Sequence, residues 1–283
     1  MIVSGNISKV RKVIKEAKRR NKLVGFVPTM GALHAGHMSL VKRAKKECSF
    51  VVVSIFLNPT QFGPGQDLRR YPKCFAKDTH LLRRAGIDLL FYPRQEAMYQ
   101  RNHSVYVQED SLSKGLCGKF RPGHFRGVCT VVGKLFNIVE PDIAYFGQKD
   151  YQQALILKRL VRDLNFSLKI KILPIIREKD KLALSSRNSY LSPGERTDAL
   201  SLYSSLREAK SLIKKGERNP RKIINEMKRI ILSKKGVKIE YIKIVDAQNL
   251  KELDKIRAPV LIALAVYIGK TRLIDNVIIN VKG

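Results

Sequence analysis

Two histidines three residues apart, His34 and His37, stand in the stretch TMGALHAGH, Thr29 to His37, in a chain with only five histidines. Directly before it, the apolar run Leu23–Val27 reads as a strand; Gly31 marks a turn, and a helix is expected to begin near Gly36 and His37. A strand passing into a helix this way aims free backbone N–H groups and the positive end of the helix dipole at one place, which suits a phosphate. At i, i+3 spacing the two imidazoles share one side of the turn. There they can donate to phosphate oxygens as charge builds in a transition state. The pair could instead bind a metal or be structural. Against a metal, no third Cys, His or acidic ligand follows closely, and the HExxH pattern is absent. The adjoining glycines favour phosphate.

Four more segments carry groups of the right type. LNPTQFGPGQDLRRYP, from Leu57, leaves an apolar strand through Asn58-Pro59. Its Gln61 offers two donors and an acceptor, as a small substrate bearing a hydroxyl and a carboxylate requires. AYFGQKDYQQ, Ala144 to Gln153, repeats the strand, glycine turn and helix sequence. There Lys149 can meet a phosphate, Asp150 can cap the helix or bind a ribose hydroxyl, and Gln153 stands one turn on. LALSSRNSYL, Leu182 to Leu191, puts Ser185, Ser186 and Arg187 in one loop, and arginine suits bidentate phosphate contacts. FRPGHFRGV, Phe120 to Val128, surrounds a Pro-Gly turn with Arg121, His124 and Arg126, and reads as a loop closing over a bound anion. Each has a plainer reading as a solvated turn or a cap.

These segments need a frame. Phe50–Leu57 is a continuous apolar run rich in β-branched residues, expected of a strand buried on both faces. Strands are also expected at Asp88–Tyr92, Ile143–Phe146 and Lys169–Ile176. Helices are expected at Ser39–Lys46, at Asp78–Ala85 with Asp78 as N-cap, at Gly127–Val139 and at Asp150–Asp163. The alternation argues for an α/β fold, a Rossmann-like doubly wound parallel sheet with ligands at the carboxyl ends of its strands. Beyond it, Pro193–Lys215 and Asn219–Lys235 read as amphipathic helices, followed by strands at Lys238–Val245, Val260–Ile268 and Leu273–Asn280. This predicts a second, smaller α+β C-terminal domain, with residues 1–176 in the first domain and 177–283 in the second.

Composition narrows the classes. With 283 residues and 44% hydrophobic content, the chain can bury a sizeable core. No apolar run reaches the roughly 18 residues of a membrane span, and the N-terminus lacks the apolar core of an export signal. A cytoplasmic protein without membrane attachment is expected. The four cysteines are scattered and read as free, mostly structural thiols. The net charge of +31 raises a basic RNA-binding protein as an alternative. The basic residues are spread over the whole chain, however, and no RNP motif, zinc finger or Arg-rich arm is present, so no specific nucleic-acid partner is expected.

Together the motifs are no longer anonymous. HAGH followed by a downstream Ser/Arg loop resembles the HIGH and KMSKS signatures of the nucleotidyltransferase superfamily. PTMGALHAGH, NPTQFGP, RPGHFRGV, YFGQKD, LALSSRNSYLS and, near the C-terminus, TRLIDN look like the pantothenate synthetase family, the pantoate–β-alanine ligases. The resemblance implies a two-step reaction. Pantoate's carboxylate attacks the α-phosphate of ATP, giving pantoyl adenylate and pyrophosphate; β-alanine then displaces AMP, giving pantothenate. It further implies a homodimer, a C-terminal lid domain and Mg2+ with ATP. By position, Met30, Gly31, Ala32, Leu33, His34, Ala35, Gly36 and His37 would line ATP. So would Gly147, Gln148, Lys149, Asp150, Ile176, Leu184, Ser185, Ser186 and Arg187. Gln61 and Gln153 would hold pantoate. The catalytic groups would be His34, His37, Lys149, Ser185, Ser186 and Arg187, with His37 described in the family as the proton donor, although a hydrogen bond to the phosphate suffices for the first step. Ala35 and Gln148 stand where the family commonly has glutamate, and Leu116–Lys119 matches more loosely. Another nucleotidyltransferase of the same superfamily is the alternative, disfavoured because a phosphorylated substrate would call for Lys or Arg where Gln61 and Gln153 stand.

Overall fold

A computed structural model describes residues 1–257 and 259–280. The chain divides into two units. The first holds Met1–Ser113, Arg121–Gln148 and Gln153–Pro174; the second holds Lys114–Phe120, Lys149–Gln152 and the chain from Ile175 onward.

The first unit runs β1 (Ile2–Ser4), α1 (Ile7–Arg19), β2 (Val24–Thr29), α2 (Ala35–Glu47), β3 (Phe50–Ile55), α3 (Phe75–Arg84), β4 (Leu89–Phe91) and α4 (Gln95–Met98). After α5 (Leu116–Phe120), which belongs to the second unit, come α6 (His124–Val139), β5 (Ile143–Gly147), α7 (Tyr151–Asp163) and β6 (Lys169–Leu173). The strands form one sheet in the order β1-β4-β3-β2-β5-β6, every pair parallel. All six residues of β3 are buried, as its apolar run requires. On one face Val27, Val51, Val53 and Leu90 pack with Leu40, Val41 and Ala44 of α2 and Leu82 of α3. The alternate residues Phe26, Val52 and Leu89 are equally buried, and α1 and α6 pack on each other and on β2. Each such aliphatic side chain contributes about 1.5–3 kcal/mol by leaving water. The order reverses between β2 and β5, so the switch point lies at their carboxyl ends, where the chain departs through Met30 and Gly147.

Several expectations shift in detail. β1 and α1 were not expected; a three-residue strand is too short for alternation to be read. β6 ends at Leu173 rather than Ile176, because Pro174 has no N–H for a ladder. The helix expected from Gly127 begins at His124, after Gly123 in a left-handed conformation. Asp78 is not an N-cap: α3 begins at Phe75, and Asp78 lies inside it, 1% exposed. All four cysteines are free thiols. Among the described residues, no helix is long and apolar enough to cross a membrane.

At the end of α2, Glu47 accepts from Arg43 at 2.7 Å, Tyr145 at 2.8 Å and Lys171 at 2.9 Å. Lys171, then Tyr145, hold its carboxyl down to about 2, from an ordinary 4.5. A depressed carboxyl stabilises fully above its unfolded pKa and loses that contribution as pH falls through the folded one. The wild-type advantage in Tm over Glu47→Gln should therefore shrink between about pH 4.5 and 2, as thermal melts across that range would record.

The second unit carries α8 (Pro193–Lys214), α9 (Pro220–Leu232), β7 (Val237–Asp246), β8 (Val260–Ile268) and β9 (Thr271–Ile279). The strands form an antiparallel sheet in the order β7-β8-β9. Ala199, Leu202 and Leu206 of α8 and Ile223 and Met227 of α9 pack with Ile244, Ile262 and Leu264 on one face. Leu116 and Tyr151 pack with Tyr241, Leu261 and Ala263 on the other. Ser192 starts α8 with a capping box to Glu195.

Candidate active site

At the end of β2 the chain must turn sharply, and it does so with two consecutive positive φ angles, 88° at Gly31 and 51° at Ala32. The alanine carries a small steric cost there, about 1–2 kcal/mol. The turn is held from below. Thr29 Oγ1 donates to Ser54 O at 2.8 Å and accepts from the Gly31 amide at 3.2 Å. The Asp78 carboxylate accepts from the amides of Ala32 and Leu33, each at 2.8 Å. His34 is the N-cap of α2: its Nδ1 accepts from Gly36 N at 3.1 Å, while His37 Nδ1 accepts from His34 N at 3.4 Å. The expectation of free amides at this turn is thus corrected: those of Gly31, Ala32, Leu33, His34 and Gly36 all have internal acceptors. What the turn presents instead is the imidazole pair. Acceptance at Nδ1 puts the proton of each neutral ring on Nε2. The rings stand 4.1 Å apart, centroid to centroid.

Gln61 follows β3 in a 3-10 turn, Pro59–Gln61, and is held from several sides. Asn58, 1% exposed, donates from Nδ2 to Gln61 Oε1 and to Gly127 O, both at 3.1 Å. Its Oδ1 accepts from Tyr99 OH at 2.8 Å and Thr60 Oγ1 at 3.0 Å. His124 Nδ1 donates to Gln61 O at 2.8 Å, and Arg121 Nη2 reaches the same oxygen at 3.3 Å. The two Arg121 nitrogens nearest Gln66 donate to its Oε1 at 2.6 and 3.1 Å. Arg126 lies over the Tyr106 ring at 4.3 Å. Arg121 and His124, from the segment expected as an anion-closing loop, thus brace Gln61. Gln61 Nε2 in turn lies 3.2 Å from Met30 Sδ, which ties Gln61 to the β2 turn.

Gly127 is the close-approach point of this brace. A Cβ there would sit 2.4 Å from Thr60 O and 2.7 Å from Gln61 N, both backbone atoms. Gly127→Ala must move α6 or the Gln61 turn, and a loss of about 1–3 kcal/mol is expected in a denaturant titration.

In the second unit, Ile176 and Leu184 are paired through Leu184 N to Ile176 O at 3.0 Å, and Arg177 bridges Ala183. This short hairpin carries Ser185, Ser186 and Arg187 at its end. Ser185 Oγ accepts from Arg187 N at 3.2 Å and caps the 3-10 turn Ser186–Tyr190. Asn188 Nδ2 donates to Glu178 Oε1 at 2.7 Å and Ala183 O at 3.1 Å. Lys149 and Asp150 lie in the same unit, in a 3-10 turn with Gln148. Lys149 keeps some surface as a residue, yet its ammonium is deep enough that burial pushes its pKa below the ordinary value. Asp150 opposes this, the Arg187 charge adds to it, and Asp275 and Cys117 oppose it. Arg187 therefore lies within electrostatic reach of Lys149. Gln153, half-buried in the first turn of α7, belongs to the first unit.

Sequence reasoning missed the supports: Asp78, Asn58, Tyr99, Asp275 and Asn276. Asn58 lies inside NPTQFGP but reads only for its turn, Asp275 and Asn276 lie inside TRLIDN without a role, and Asp78 reads only as an N-cap.

The family model described as pantoate-beta-alanine ligase matches residues 2–278. A pantothenate synthetase from Fervidobacterium nodosum is 56% identical over 274 residues, 97% of this chain and 98% of that protein. One from Thermotoga petrophila is 53% identical over 99% of this chain and all of its own. A crystal structure of pantothenate synthetase from Thermus thermophilus superposes with a TM-score of 0.93 at 41% identity, covering 98% of this chain and 99% of that one. A pantoate-beta-alanine ligase from Francisella tularensis, complexed with beta-gamma ATP and beta-alanine, superposes at 0.82 with 37% identity over 98% and 97% of the two chains. Similarity at this level along nearly the whole length, on a sheet whose switch point carries the paired histidines, means that the chain belongs to the pantoate–β-alanine ligase family.

Proposed function

We propose that the chain performs its family's reaction: ATP-dependent condensation of pantoate with β-alanine to pantothenate, through pantoyl adenylate. The observation that supports this reading is the histidine pair at the end of β2, each ring accepting a backbone N–H at Nδ1, with Gln61 held at the same turn. In the first step a pantoate carboxylate oxygen bonds to the α-phosphorus of ATP. The bond to the bridging oxygen breaks, and pyrophosphate leaves with its electron pair. In-line transfer of this kind needs orientation and charge stabilisation rather than covalent help. His34 and His37 donate to the phosphate oxygens, and Lys149, Ser185, Ser186 and Arg187 are the remaining donors that the family resemblance implies. Gln61 and Gln153 orient pantoate through its hydroxyl and carboxylate. In the second step the β-alanine amine bonds to the acyl carbon, AMP leaves, and the amine's proton passes to solvent. Met30–His37, Gly147–Asp150, Ile176 and Leu184–Arg187 bound the nucleotide.

Among the described residues no group of three or more His, Cys, Asp or Glu side chains forms a metal cage. That fits Mg2+ arriving on the triphosphate, because this ion keeps several waters and takes one or two carboxylates beside phosphate oxygens. Asp150, exposed next to Lys149, is a carboxylate that would meet it. Bound there, the ion would neutralise phosphate charge. A homodimer acting in the cytoplasm completes the reading.

The test is an assay with ATP, pantoate and β-alanine, each omitted in turn. AMP and pantothenate should appear only with all three, and pyrophosphate exchange into ATP should require pantoate alone. AMP release indifferent to both pantoate and β-alanine overturns the reading. In the same assay Gly127→Ala should raise the KM for pantoate more than that for ATP, because the substitution displaces Gln61.

A further inference from the structure

The motif TRLIDN, Thr271 to Asn276, has so far no role beyond its place in β9. β9 is one of the two outer strands of the small sheet, and its alternate residues face opposite sides. Leu273, Val277 and Ile279 pack with α8 and α9, whereas Ile274 and Ile278 pack with Leu116 and Tyr151. Asp275 and Asn276 are the polar pair set into these two faces, 3% and 4% exposed. On the α8 side, Asp275 accepts a two-pronged ion pair from Arg177, Nη1 to Oδ2 at 2.6 Å and Nη2 to Oδ1 at 2.9 Å. The same guanidinium lies 4.6 Å over the Tyr203 ring and donates to Lys181 O at 3.2 Å. Arg177 is the hairpin residue that bridges Ala183, two residues before Ser185. On the other side, Asn276 Nδ2 donates to the main-chain carbonyl of Lys149 at 3.0 Å.

We infer that Asp275 and Asn276 are positioning residues for adenylate formation, Asp275 fixing the Ser185–Arg187 hairpin through Arg177 and Asn276 fixing Lys149. The two are adjacent in one strand, so the strand's register sets the spacing of the two cationic elements. A fork-to-fork pair and an amide-to-carbonyl bond are both directional. Neither side chain needs to touch a substrate. Asp275 also raises the pKa of Lys149, against burial, and so helps keep its ammonium charged. This inference rests on the phosphate-binding roles proposed for Lys149 and Ser185–Arg187.

The test is pantoate-dependent pyrophosphate exchange by Asn276→Ala and Asp275→Asn in the full-length chain, with melting temperature measured alongside. Asn276→Ala should lower kcat for exchange by about 10²-fold, the scale of a 1 Å misplacement, while the KM for pantoate stays near wild type. In a Lys149→Ala background the same substitution should have little further effect, because its route through Lys149 is already gone. Asp275→Asn should lower kcat likewise, and Asp275→Glu should restore part of it. Wild-type exchange by folded Asn276→Ala overturns the inference, and so does an equal fold loss with and without Lys149. If Asp275→Asn fails to fold, the Asn276 series decides alone. Absence of ligase activity in the wild-type chain would instead refute the function on which the inference stands.

Discussion

His37→Ala and Lys149→Ala should each lower pantoate-dependent pyrophosphate exchange by about 10²–10³-fold, the usual loss when one preorganised donor to a developing charge is removed. The reason lies in how each group is held. The His37 ring is fixed at Nδ1 by the His34 amide, so its donor direction is set before substrate arrives. Lys149 is held at its carbonyl by Asn276, while burial lowers and nearby carboxylates raise its proton affinity. Both substitutions should leave the core intact, since neither residue is among the buried apolar clusters. Melting temperatures close to wild type with exchange near the wild-type rate would remove these residues from the mechanism. Pyrophosphate leaves without protonation, so a hydrogen bond from His37 to the phosphate suffices for the first step.

Asp78→Ala has the second large effect, and it acts on fold and chemistry together. The substitution leaves the Ala32 and Leu33 amides without their acceptor, at about 1–3 kcal/mol for each buried donor. It also releases the left-handed turn at Gly31 and Ala32 on which the histidines depend. A lower denaturation midpoint and a loss of exchange of at least about 10-fold are expected, since misplacement of a reacting group by an ångström costs more than that. Asp78→Asn retains one acceptor oxygen and should fall between alanine and wild type. The carboxyl also imprints pH dependence. Burial raises its pKa above the ordinary 3.8, and the amide bonds from Leu33 and Ala32 partly oppose this. The native state therefore holds this proton to higher pH than the unfolded chain does. The group's contribution to stability falls as pH rises through the window above 3.8, and the Asn variant should lack that slope. Equal stability and activity in all three proteins would show that the turn holds itself.

Much of this architecture is legible from local pattern. The unbroken apolar run of β3 announced a strand covered on both faces, and the alternation of strands and helices announced the parallel sheet. The lysine-rich amphipathic stretches became α8, which ends one residue earlier than expected, and α9, which ends three residues earlier. Where local reading failed, a distant partner decided. Asp78 has the residue type and spacing of an N-cap, yet its carboxylate is committed to amides 45 and 46 positions away. RPGHF reads as a loop closing over an anion, and what no local pattern showed is that Arg121 and His124 both donate to the Gln61 carbonyl.

By itself the sequence determined the fold class, because periodicity is a local property, and the family, because its motifs are short runs of residue type and spacing. Only the tertiary structure decided which of the candidate groups are already engaged and in what direction the rest must point. The helix start at His34 has few amides left to offer, since Asp78, Thr29 and the two imidazoles take them. Lys149 is joined to the C-terminal strand rather than to the strand that precedes it. Hydrogen bonds are short and directional, so they depend on which segments meet in space. No spacing along the chain records that.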